Sequence, residues 1–146
     1  MTGRRDEQIP GDLIVAGEFS ELPRIAEWVR AWSAGHRLPE RVAGRLDLCA
    51  AEIVTNVVTY GLADDRDQHV ALSLRRADGE VVLEIEDDGI PFDPLQVEEP
   101  EPPTSLEGAR IGGLGIHLVR KLSDGLRHRR SEGRNRLTLI FRLPPP

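Results

Sequence analysis

Cysteine is almost missing from this chain of 146 residues: Cys49 is the single one, so no disulfide can close within it and a reducing, cytoplasmic setting is expected. Long apolar runs are missing too. None approaches the roughly 20 residues needed to cross a bilayer, and the opening MTGRRDEQIPGD lacks a signal-peptide core, which predicts a soluble protein with no membrane association. Positive charge is not in excess. The formal net charge of −6 argues against direct nucleic-acid binding, and the local basic group Arg127, His128, Arg129, Arg130, Arg134 and Arg136 reads as the solvent side of strands. There is no dinucleotide fingerprint following a strand, no phosphate loop ending in Gly-Lys-Ser/Thr, and no internal repeat. A chain of this length suits one domain, burying roughly 70% of its unfolded surface.

What is present centres on residues 41–61, RVAGRLDLCAAEIVTNVVTYG. Val42, Leu46, Cys49, Ala50, Ile53, Val57 and Tyr60 recur at the spacing of one helix face, which predicts a long helix with that face in the core. Glu52 and Asn56 stand one turn apart along the edge of the stripe, where such a helix borders a cleft.

Around this helix the chain reads in order. Asp12–Ala16 is a short apolar strand, and Ser20 caps a helix running to about Ser33, with Leu22, Ile25, Trp28, Val29 and Trp32 on its buried face. Gly61 suits a helix C-cap. From Val70 the period changes to two: Val70, Leu72 and Leu74, a turn at residues 77–79, then Val81, Leu83 and Ile85 make a hairpin with one dry and one wet face. A second hairpin joins residues 125–130 to Leu137, Leu139, Phe141 and Leu143 through a turn at Ser131-Glu132-Gly133. Between them lie a long loop, 90–112, and a short helix from Gly113 to about Ser123. This order predicts an α+β two-layer sandwich, with helices on one face of a mixed, mostly antiparallel sheet. The expected boundaries are a polar tail at 1–11, one domain at 12–143 and a tail at 144–146.

Three oddities concern chemistry. Asp87 falls on the dry face when the strand is counted by twos, so its carboxylate needs a hydrogen-bond donor from protein or ligand; Gly89 and Pro91 then turn the chain sharply. Gly112, Gly113 and Gly115 open a helix after a loop long enough to be a lid, and free amides at a helix N-terminus favour phosphates. With Glu52 and Asn56 these describe a site for a planar donor group, a metal and a polyphosphate, and ATP with magnesium is such a ligand. His117 and His128 read as helix and strand surface.

Taken in order, residues 52–61 (EIVTNVVTYG), 87–91 (DDGIP) and 113–116 (GLGI) resemble the motifs of the GHKL ATPase superfamily, which holds histidine kinases, type II topoisomerase subunits, Hsp90 and MutL. The short length and the PFDP after the aspartate most resemble its stand-alone RsbW and SpoIIAB type, bacterial anti-sigma factors that are also serine kinases. The resemblance implies the ATP-binding fold of that superfamily over residues 12–143. It implies that Asn56 coordinates Mg²⁺, Glu52 is the general base, Asp87 accepts the adenine amino group beside Gly89, and Gly113 and Gly115 wrap the phosphates. Tyr60, Pro91, Arg110, Gly112 and Leu114 are carried over as further nucleotide contacts. Pro91 stands where the family motif has a second glycine, which removes an amide and stiffens the turn. The implied activity is transfer of the γ-phosphate of ATP to a serine of a STAS-domain anti-anti-sigma protein. The alternative is a non-catalytic, nucleotide-dependent module that sequesters a sigma factor or other regulator. A homodimer is implied as well, through Leu13 to Val15 or through Trp28 and Trp32.

Overall fold

The computed structural model describes residues 9–61, 68–93, 96 and 113–145. Its elements run β1 (Asp12–Ala16), α1 (Leu22–Gly35), α2 (Glu40–Asn56), β2 (His69–Ala77), β3 (Glu80–Asp87), α3 (Gly113–Leu122), β4 (Gly125–Ser131) and β5 (Arg134–Arg142). The five strands form one sheet in the order β1-β2-β3-β5-β4. Every pairing is antiparallel, so the sheet carries no parallel pair among the described residues. The α+β sandwich is the expected architecture, and β3 lies at its centre.

Helix α1 buries Ile25, Trp28, Val29 and Trp32, the i, i+3, i+4, i+7 pattern of one face. Ser20 does not cap it. A 3-10 turn over Phe19–Glu21 precedes the helix, and the Ser20 hydroxyl donates to Glu18 Oε2 instead. Both tryptophans are core residues of this chain, at 7% and 2% exposure, and Trp28 Nε1 donates to Pro10 O. They are therefore not a surface for a second copy. The helix stops where Arg37 takes a left-handed φ of 54°, and Pro39 starts the next one.

Helix α2 lies against α1 and α3 and buries Val42, Leu46, Cys49, Ala50, Ile53, Val54 and Asn56. Each fully buried aliphatic side chain contributes roughly 1.5–3 kcal/mol, so this helix is a principal source of core stability. Burial first, and then the nearby Glu52 carboxylate, push the Cys49 thiol up to about 12, which leaves it neutral and unreactive. The helix does not end in a left-handed glycine cap. Residues Val57–Gly61 widen into a π-helical turn, a feature frequent at functional sites. The wider turn swings Tyr60 off the core face to 47% exposure, contrary to its place in the apolar stripe.

In the sheet, Leu72, Leu83, Ile85, Leu137, Leu139 and Phe141 point inward at 5% exposure or less. The hairpin between β4 and β5 turns on Glu132 and Gly133, both with positive φ, the pairing that matches the twist of the strands. On the outer face, Arg134 and Arg136 pair with Glu86. Burial alone would raise the Glu86 carboxyl, but the hydrogen bonds from Arg136 and Arg134 outweigh it and hold the group below its usual range.

Candidate functional site

The core-facing end of β3 meets the C-terminal part of α2, and there Asp87 is 6% exposed on the dry side of the sheet. Two donors reach it, the Gly89 amide at 2.9 Å and Asn135 Nδ2 at 3.1 Å, and both go to Oδ1. Among the described residues Oδ2 has no donor. Burial raises the Asp87 carboxyl above its ordinary value, and the bonds from Asn135 and Gly89 offset only part of that. The expectation that this carboxylate lies on the dry face and takes a donor from protein or ligand is met at Oδ1 by Gly89 and Asn135.

The turn after Asp87 is stitched down from both sides. Asn135 donates to Ile90 O at 2.7 Å and accepts from the Phe92 amide at 3.2 Å, while Arg130 Nη1 donates to Gly89 O at 2.8 Å. The Ile90 amide donates to Gly61 O at 2.8 Å, tying the turn to the π-helical end of α2. Gly89 has to be glycine here. A β-carbon on it would overlap the Gly61 carbonyl, which is backbone and has no freedom to move aside.

A cleft opens between these elements, lined by Ile53, Asn56 and Val57 of α2 and its extension, Ile85 and Asp87 of β3, Phe92, His128, Asn135 and Leu137. Asn56 is 2% exposed, and its side-chain nitrogen is buried with no hydrogen-bond partner. A lone buried amide of this kind is costly without a partner from outside the chain. The cavity itself holds about 20 Å³, room for about one water, with Phe92 as one wall.

Glu52 reaches the same region one turn before Asn56, half-buried, and its carboxylate lies directly against Gly115 of α3. Gly113 and Leu114 form the first turn of α3, so the helix N-terminus faces the acid of α2. Tyr60 is at the rim, its ring 6.2 Å from that of Phe92, and Pro91 is exposed beside it. Arg110 and Gly112 lie outside the described residues, as does most of the loop at 90–112. Among the described residues no group of three or more His, Cys, Asp or Glu could hold a metal ion, so any cation here would lean on Asn56, water and the ligand's own oxygens.

Two residues expected on the solvent side of strands belong to this site. His128 of β4 faces inward with its side chain 11% exposed, and Arg130 crosses to the Gly89 carbonyl. Asn135 was not expected here at all. It has the parity of Leu137, Leu139 and Phe141, so the count by twos that marks Asp87 marks it as well.

The family model described as histidine kinase-like ATPase domain matches residues 15–141. The serine/threonine-protein kinase BtrW of Bordetella bronchiseptica is 33% identical over 118 residues, 81% of this chain and 83% of that protein. Among solved structures, the RsbU and RsbW domains of Rv1364c from Mycobacterium tuberculosis align with a TM-score of 0.63 at 20% identity, over 92% of this chain and 33% of that one. The histidine kinase domain of the Erythrobacter litoralis blue-light activated histidine kinase aligns with a TM-score of 0.54 at 21% identity, over 86% of this chain and 60% of that one. This chain thus spans about a third and three fifths of those two structures, and at such identities the likeness speaks for fold alone. No helix among the described residues is long and apolar enough to cross a membrane.

Proposed function

The chain belongs to the family of histidine kinase-like ATPase domains, and from that premise we propose that it binds ATP with Mg²⁺ and passes the γ-phosphate to a serine of a STAS-domain partner of the anti-anti-sigma type. Two juxtapositions support the reading: Asn56 and Asp87 line one cleft, and Glu52, one turn before Asn56 on α2, lies against Gly115 in the first turns of α3.

In this reading Asp87 Oδ2 accepts a hydrogen from the exocyclic amino group of adenine, and Ile53, Val57, Ile85 and Leu137 cover the ring faces. The cavity is too small for a purine as it stands, so binding moves the Phe92 turn outward. Asn56 would hold the magnesium. The nitrogen and oxygen of an asparagine exchange places by a rotation of the amide, so the unpartnered position can present the oxygen that a hard cation takes. When bound, that ion spreads the negative charge of the phosphates. The amides that open α3, at Gly113 and Gly115, approach the phosphate oxygens closely because no side chain intervenes. Tyr60, Pro91 and Leu114 border the nucleotide, and Arg110 and Gly112 complete the phosphate contacts. Glu52 orients the incoming seryl hydroxyl and takes its proton as the oxygen–phosphorus bond forms and the bond to the β–γ bridging oxygen breaks, releasing ADP. A homodimer along the open edge of β1, where Ile14 is 63% exposed, is part of the same proposal.

Titration calorimetry with Mg-ATP, followed by incubation of the protein with γ-labelled ATP and candidate STAS proteins, tests the reading. Heat of binding and label on one serine are the expected results. Heat without label, with the partner or a sigma factor held in a stable complex, would favour the sequestering module. No heat with either ATP or ADP would overturn both.

A further inference from the structure

We infer that His128 is a base-reading residue of the nucleotide site, donating from Nε2 to a ring nitrogen of the purine. The inference rests on the nucleotide reading above and adds to it a residue from a strand two places away from β3. His128 pairs with Leu137 on β5, which pairs with Ile85 on β3, so its side chain stands in the cleft one row along from Asp87. It is one of the residues that line the cavity.

Two features of its environment ask for a ligand. Nδ1 lies 3.6 Å from Asp93 Oδ2, which fixes the orientation of the ring from behind. Nε2 is buried and has no hydrogen-bond partner. A ring nitrogen held dry and unpaired in this way is costly, and a histidine whose far side is anchored by a carboxylate is oriented to use the near side. Leu126, the preceding inward residue of β4, and Leu137 opposite are aliphatic, so packing alone would be served by another aliphatic side chain.

Adenine offers two kinds of edge. Its amino group donates, and Asp87 Oδ2 suits that. Its ring nitrogens N1, N3 and N7 only accept, and the protein must meet them with a donor. Among the described residues the cleft offers an acceptor at Asp87 Oδ2, an amide at Asn56 that phosphate and cation engage, and the unpartnered His128 Nε2. His128 with a proton on Nε2 supplies the ring-nitrogen donor, and Asp93 balances the charge if both nitrogens carry protons.

The test compares the parent, His128→Leu and His128→Gln by calorimetry with ATP and with its 1-deaza, 3-deaza and 7-deaza analogues, each of which replaces one ring nitrogen by CH. Thermal melts of all three proteins establish that they are folded. One analogue is expected to bind the parent about tenfold more weakly than ATP, the worth of one hydrogen bond. His128→Leu should bind ATP about tenfold more weakly and no longer distinguish that analogue, and His128→Gln should regain part of both losses. If His128→Leu binds ATP as the parent does, the inference fails while the nucleotide reading stands. If it weakens ATP and all three analogues by the same factor, His128 only props the Asp93 turn and the inference also fails. Failure of the parent to bind any of the four nucleotides would instead overturn the nucleotide reading itself.

Discussion

The Glu52 carboxylate of α2 lies on the α-carbon of Gly115 in α3: a β-carbon there would overlap Oε2, with the carboxyl carbon 3.2 Å and the Glu52 β-carbon 3.5 Å away. The acid and the glycine-containing helix are thus one feature, and the third residue of α3 lacks a side chain where the acid needs the space.

Gly115→Ala is therefore expected to separate catalysis from folding. Alanine gains about 1 kcal/mol of helix propensity, and the atom it strikes is the far end of a flexible side chain, so a urea melt should change by about 1 kcal/mol or less. The displaced carboxylate loses its aim, and a misplacement of about 1 Å costs on the order of 100-fold in rate. Labelled-phosphate transfer should fall by about that factor beyond any loss of calorimetric ATP affinity, which the added methyl beside the phosphate-facing Gly115 amide should itself weaken by about tenfold or less. Transfer at the parent rate would detach Glu52 from the chemistry.

Glu52→Gln keeps the shape and removes the base. Nucleotide affinity should hold, and transfer to the serine partner should fall by about 10²–10⁴-fold, the usual range for loss of a general base. Asn56→Ala, by contrast, removes the buried amide from the cleft and should weaken both binding and transfer. The two variants together separate the kinase from a module that only holds nucleotide. An Asn56→Ala protein that binds Mg-ATP as the parent does would remove that residue from the site.

Counting by twos made the sheet legible before any coordinates. The two hairpins fall at their expected places, and Asp87 comes out on the dry side because it shares parity with Val81, Leu83 and Ile85. The same count carried back from Leu137 marks Asn135, and carried on from Leu126 it marks His128. The arginines interleaved with them hide that parity, since a dense run of charge reads as solvent. The π-helical turn was not legible, because an apolar spacing close to 3.6 continues through Val57 and gives no sign of the extra residue that turns Tyr60 outward. Ser20 has the right chemistry for a cap, but the 3-10 turn shifts the helix start to Leu22, past its reach.

Gly89→Ala should behave differently from Gly115→Ala. The obstacle is the Gly61 carbonyl, backbone that also accepts the Ile90 amide at 2.8 Å, and neither can shift without opening the turn. A loss of about 2–4 kcal/mol in chemical denaturation is expected, in the range of overpacking combined with a broken hydrogen bond. Nucleotide binding should be lost even where the variant remains folded. A variant as stable as the parent would mean that the turn is looser than its hydrogen bonds indicate.

Asp87→Asn should stabilise the empty protein while abolishing its binding. Burial raises the folded-state Asp87 carboxyl above its unfolded value, so the folded state holds the proton more tightly. The stability tied to that proton is fully present below the unfolded pKa and is lost as pH rises through the folded one. At neutral pH the parent therefore bears the cost of an ionised carboxylate that, among the described residues, is hydrogen-bonded through Oδ1 alone, a cost that asparagine lacks. The asparagine oxygen can still accept from Gly89 and Asn135, so the turn survives. An increase of roughly 2–4 °C in melting temperature at pH 7 is expected, about 1 kcal/mol for a chain of this size. That difference should shrink as pH falls through the folded-state value, where the parent carboxyl becomes neutral as well. The amide nitrogen that replaces Oδ2 donates where the adenine amino group also donates, which should weaken ATP by about 100-fold or more. A variant that melts lower than the parent at pH 7, or binds ATP equally well, would mean that the Asp87 charge is satisfied within the empty protein and is not held for a base.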